Sequence, residues 1–113
     1  LHTAIALDPE NSDFYFILGK IHKSEQQWSD AENAFWQCVK LNEKHVSAYF
    51  NLGSLFEKQK RFVEAIDMFS KVIELDPNQA KAYYNLGVIY HVQNRLDEAI
   101  ANYEKAIELM PDD

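Results

Sequence analysis

Apolar side chains recur along the chain with the period of an α-helix, in stretches of roughly fourteen residues separated by short polar ones. Three successive segments open with the same set of large residues at i, i+3 and i+7: Tyr15, Leu18 and His22; Tyr49, Leu52 and Phe56; Tyr83, Leu86 and Tyr90. Each segment continues with a second set on one helical face: Ala31, Phe35 and Cys38; Ala65, Phe69 and Val72; Ala99, Tyr103 and Ala106. The pattern predicts an all-α chain in which each segment is a pair of helices.

Glycine and proline carry the same period. Gly19, Gly53 and Gly87 stand 34 residues apart, and Pro9, Pro77 and Pro111 lie on a second lattice of that spacing whose vacant place holds Glu43. A fixed period of this size marks stacked supersecondary units, each unable to bury its apolar face without a neighbour. The units are expected at 12–45, 46–79 and 80–113, with residues 1–11 as the second-helix tail of a preceding one, in a single continuous solenoid. The apolar spacing runs on past each glycine, so the glycines belong inside helices, where a side chain would obstruct close packing; each is expected to face a small residue of its partner helix. Asp8-Pro9 and Asp76-Pro77 are expected to supply an N-cap and a first-turn proline to the helices that follow. Ser29 and Glu32 have capping-box spacing.

With Tyr83, Leu86-Gly87, Tyr90, Ala99, Tyr103, Ala106 and Pro111, the third unit fits the full signature of the tetratricopeptide repeat, which the whole chain resembles. The first unit departs most, at His22, Cys38 and Glu43. The resemblance implies a right-handed superhelical solenoid of antiparallel helix hairpins, with the first helix of each hairpin lining the concave face. On that arrangement Asp13, Phe16, Ile17, Lys20, Lys23 and Ser24 face inward from the first unit. Ser47, Phe50, Asn51, Ser54, Glu57 and Lys58 do so from the second, and Lys81, Tyr84, Asn85, Val88, His91 and Val92 from the third.

The inward set contains four lysines against one Asp and one Glu, although the chain carries a formal charge of -7. Charge is thus segregated, and the groove is expected to be mildly basic. Phe16, Phe50 and Tyr84 form an aromatic row suited to apolar or stacking contacts. Asn51 and Asn85 offer a donor and an acceptor to an extended backbone. The expected site is therefore Phe16, Lys20, Lys23, Phe50, Asn51, Ser54, Lys58, Lys81, Tyr84, Asn85, Val88 and His91, holding a peptide or protein segment with acidic groups. Some relatives grip a terminal carboxylate with a Lys and Asn clamp, of which only Asn51 and Lys81 are matched here, so a chaperone tail is not the expected ligand. The paired Asn51 and Asn85 are closer to the asparagine ladder of repeats that precede the O-GlcNAc transferase catalytic domain.

Composition narrows the alternatives. With 113 residues, 47 % of them hydrophobic, the chain can bury a core. Its acidity repels phosphate backbones and argues against general nucleic-acid binding. No stretch approaches the ~18 apolar residues of a membrane span, no signal-peptide pattern opens the chain, and it reads as soluble. It begins at Leu1 within an apolar pattern and is read as an excerpt.

Chemistry is not expected within these residues. Cys38 takes a small-residue packing position and is read as a buried, inert thiol; no Cys or His pairing has zinc-ligand spacing, and no metal or cofactor is expected. His22 takes an aromatic packing position and is read as a core histidine, whereas His91 lies on the groove. Trp36, whose counterparts are Ser70 and Glu104, is expected on the outer face as a contact anchor. Three readings follow: a binding adaptor, a solenoid that self-associates through its ends, and a substrate-recruiting segment of a larger enzyme.

Overall fold

A computed structural model describes residues 11–110 of the chain. Pro111, the Asp8-Pro9 turn and the expected helix tail up to residue 10 lie outside the described residues. Six helices follow in order: α1 (Ser12–Ser24), α2 (Trp28–Leu41), α3 (Val46–Lys58), α4 (Phe62–Leu75), α5 (Ala80–Val92) and α6 (Leu96–Leu109). No strand occurs among the described residues. The closest packing is within the pairs α1–α2, α3–α4 and α5–α6, and each pair rests on the next through α2–α3 and α4–α5. The result is an elongated solenoid of helix hairpins, 48 × 27 × 25 Å.

The glycines set the closeness of each hairpin. A Cβ built on Gly19 would lie 2.6 Å from the ring of Phe35; at Gly53 the ring of Phe69 would be 2.9 Å away, and at Gly87 that of Tyr103 2.7 Å. The partner is therefore an aromatic ring, not the small residue expected, because the ring of the second helix fills the space that a Cβ would take. Small residues act elsewhere: Ala31, Ala48, Ala65 and Ala82 are wholly buried where helices cross. The core runs unbroken through the hairpins, from Phe35 through Leu52, Phe56 and Phe69 to Ile89.

Each hairpin turn has a residue in the left-handed region: Gln26 (φ 60°), Lys60 (φ 61°) and Asn94 (φ 61°). In all three, the next backbone N–H donates at 2.8 Å across the helix end, Gln27 to His22 O, Arg61 to Phe56 O and Arg95 to Tyr90 O. This six-to-one bond is the Schellman termination, which satisfies carbonyls that a helix end leaves open.

Helix starts differ from expectation. Ser29 and Glu32 form no capping box, since α2 begins at Trp28 with Gln27 as its N-cap and no side-chain capping bond. Asp76 closes α4 instead of opening α5; its carboxylate accepts from Asn78 N–H (3.2 Å) and from Gln79 Nε2 (2.8 Å), bracing the turn that contains Pro77. The side-chain caps of the first helices come from Asn11, whose Oδ1 accepts from Phe14 N–H at 3.2 Å, and from His45, whose Nδ1 accepts from Ala48 N–H at 3.2 Å. His45 then carries its proton on Nε2 and donates to Asp13 Oδ1 at 3.1 Å, tying α3 to α1. His22 is half-buried rather than part of the core: its ring nitrogen donates to Gln27 Oε1 at 2.6 Å.

Candidate binding groove

The first helices of the hairpins approach one another directly, α1 to α3 and α3 to α5, whereas α2, α4 and α6 make no comparable contact among themselves. The side lined by α1, α3 and α5 is thus the inner one.

Two neighbouring pockets open on it. One, of about 370 Å³, gathers Lys20, Lys23 and Ser24 of α1 with Asn51 and Lys58 of α3, and is walled by Trp28 and the turn residue Gln26. The other, of about 270 Å³, lies over Phe16, Val46 and Phe50 and is edged by Lys20, Ser47, Asn51, Gln79 and Lys81. Lys20 and Asn51 belong to both.

Of the expected site, these pockets bring together Phe16, Lys20, Lys23, Phe50, Asn51, Lys58 and Lys81. Ser54 stands beside them as an acceptor for Lys23 Nζ (3.3 Å). Tyr84, Asn85, Val88 and His91, all on α5, line neither pocket. Tyr84 is 50 % exposed, and its ring lies 5.7 Å from that of Tyr103. His91 meets the same Tyr103 ring edge-on at 6.5 Å.

The aromatic row is half packing and half surface. Phe16 lies 6.1 Å from Phe35 and 4.8 Å from the ring of His45, and Phe50 stands edge-on to Phe69 at 5.3 Å. Each ring therefore anchors its first helix to the second and offers its remaining face to the groove. Asn51 is held in place: its Nδ2 donates to Ser47 O (2.8 Å) and its Oδ1 accepts from Lys23 Nζ (3.4 Å), leaving one amide hydrogen without a partner among the described residues.

Trp28, Gln26, Val46 and Gln79 escaped the sequence reading. The signal for Trp28 was its counterpart Phe62, a bulky residue at the same place in the next hairpin. Gln26, at the left-handed turn, carried no residue-type signal.

Charge follows the two faces. On the outside, Arg61 pairs with Glu64 and with Glu32 of the preceding hairpin, Arg95 with Glu98, Lys71 with Glu74 and Lys105 with Glu108. Lys20, Lys23, Lys58 and Lys81 form no ion pair among the described residues. Burial, then Lys58 and Lys20, hold the Lys23 ammonium below its usual range, and burial alone raises the Glu57 carboxyl. On the outer side Trp36 is 40 % exposed; its indole N–H donates to Glu32 Oε2 (3.2 Å) and its ring lies 6.3 Å from that of Phe56, so it covers the seam between the first two hairpins. Cys38 is fully buried, and burial, with Asp13 contributing, pushes its thiol up to about 11. No described helix is long and apolar enough to cross a membrane.

The sequence profile of the family described as Tetratricopeptide repeat matches residues 46–79 and 80–113. No curated protein sequence matches significantly. Among solved structures, a crystal structure of MamA superimposes with a TM-score of 0.90 at 28 % identity, covering 93 % of this chain and 61 % of that one. YrrB, described as a TPR protein with an unusual peptide-binding site, gives 0.83 at 32 % identity over 90 % of this chain and 53 % of its own. The TPR domain of Arabidopsis OM64 gives 0.85 at 27 % identity, over 90 % and 84 %. The chain thus spans about three fifths or less of the MamA and YrrB chains it matches.

Proposed function

Because this chain belongs to the tetratricopeptide-repeat family, whose repeats form protein-interaction modules, we propose that it holds an extended segment of another polypeptide in the groove lined by α1, α3 and α5. The observation that carries this reading is the pair of adjoining pockets sharing Lys20 and Asn51. One has an aromatic floor and the other gathers lysines, so a segment crossing both would set an apolar side chain on Phe16 and Phe50 and an acidic one beside Lys20, Lys23 and Lys58. Asn51 offers its free amide hydrogen to the ligand backbone between them. The likeness to YrrB supports a peptide ligand, since that protein is described by its peptide-binding site. The role is that of a scaffold or adaptor without catalysis of its own, built from units at 12–45, 46–79 and 80–113.

The test is a peptide-library screen against the chain, repeated with Phe50→Ala combined with Lys81→Ala. Loss of the hits supports the groove, because the two residues border one pocket from different helices. Hits that survive unchanged place the contact elsewhere, with the Trp36 seam the next surface to change.

A second reading, self-association through the C-terminal end, has its own observation. Ile100 and Ile107 are 55 % and 70 % exposed on α6, while their counterparts Ile66 and Ile73 are partly buried against the core beneath the next hairpin.

A further inference from the structure

We infer that the pocket between α1 and α3 is a site for a doubly charged anionic group on the bound segment, either a phosphoryl group or two adjacent carboxylates. This rests on the groove reading above and narrows its ligand.

Lys20 and Lys23 on one helix and Lys58 on the next converge on this pocket, and no acidic side chain among the described residues lines it. Lys23 is fixed at its floor by hydrogen bonds to Asn51 Oδ1 (3.4 Å) and Ser54 Oγ (3.3 Å). Lys58 lies over the indole of Trp28, 5.9 Å from the ring centre. Three like charges held together are unfavourable unless something neutralises them. The chain has 18 acidic residues against 11 basic ones, and it supplies carboxylates to the cations of its outer face. Among the described residues it supplies none here.

Stacking of the hairpins does not require the cluster. One repeat further on, at the seam between α3 and α5, the places of Lys20, Lys23 and Lys58 are taken by Ser54, Glu57 and Val92. The hairpins pack there without a single lysine at these places, so the trio is a property of this one seam and not of the framework.

The charge count selects the ligand. One carboxylate would leave the trio strongly positive, whereas a dianion neutralises most of it and offers several acceptor oxygens to ammonium donors that make charge-assisted hydrogen bonds. A long polyanion does not fit, because the rest of a chain of charge -7 repels it. The anion must be local and carried on a segment whose remainder lies on the apolar pocket beside it.

Small anions test the pocket apart from any peptide. The chain is isotopically labelled and titrated at constant ionic strength with inorganic phosphate, O-phosphoserine, the dipeptide Asp-Asp and, as control, serine. The indole N–H signal of Trp28 is followed by NMR. Saturable shifts are expected with phosphate and with at least one of the two organic anions, and which of them binds more tightly identifies the source of charge. The variant Lys23→Gln with Lys58→Gln is expected to bind at least about tenfold more weakly. Its melting temperature should not fall, since mutual repulsion is relieved. Lys23 faces Lys20, Lys58, Asn51 and Ser54, and its lowered proton affinity means that binding weakens as pH rises through its titration.

Shifts that stay linear, that persist in the double variant, or that serine reproduces overturn the inference. Should library peptides bind while no anion moves Trp28, the anion site falls and the groove stands. Saturable anion binding with no peptide hits gives the reverse.

Discussion

Gly53 shows how much a single absent methyl group decides. Its backbone lies under the ring of Phe69, which is wholly buried and has no free direction in which to move. Gly53→Ala gains about 1 kcal/mol of helix propensity, while overpacking a filled core costs about 1–3 kcal/mol. The clash prevails, and we expect a net loss of up to about 2 kcal/mol, read by chemical denaturation. Substitution at Gly87 should be milder, because the opposing Tyr103 is only partly buried and can tilt away. The sequence revealed that something must come close at these three glycines, since nothing else justifies a glycine in mid-helix. It did not reveal what, because the ring and the alanine of the second helix are only four residues apart and share one face.

At the scale of the element, helix ends proved harder to read than helix bodies. The bodies are written in apolar side chains at fixed spacing, which any reading recovers. The turns repeat with the same period but are written in backbone conformation: Gln26, Lys60 and Asn94 share a positive φ and no residue type. An L-residue pays about 1–2 kcal/mol in the left-handed region, against about 0.5–1 kcal/mol for the extra freedom of an unfolded glycine. Lys60→Gly should therefore stabilise the chain by about 0.5–1 kcal/mol, visible as a higher denaturation midpoint. The anion pocket was legible to the same extent. Lys20, Lys23 and Lys58 lie on the inward face of regular helices, while Trp28 and Gln26 reach the pocket from a helix start and a turn. Ser29 misled because a capping box needs its serine just outside the helix, and α2 has already begun at Trp28.

For the molecule as a whole, the hairpins form a line whose last described helix carries uncovered apolar side chains. Ile100 and Ile107 occupy the places that in the preceding hairpin lie against the next one, and here they face solvent. An Ile107→Lys substitution should leave the unfolding free energy within about 0.5 kcal/mol of the parent's, because an exposed site has little packing to lose. If the end self-associates, analytical ultracentrifugation will find the parent chain's mass rising with concentration and the variant's constant. A parent that stays monomeric at all concentrations removes that reading.

The lone cysteine acquires a use from its burial. Cys38 is sealed in the core with its thiol pushed up to about 11, so at neutral pH it is both shielded and almost entirely protonated. A thiol reagent can reach it only during moments when the helices packed around it part. The native chain thus contains its own clock for local opening, placed beside the seam that the lysine pocket spans. An anion that bridges α1 and α3 would slow that clock without touching the sulfur.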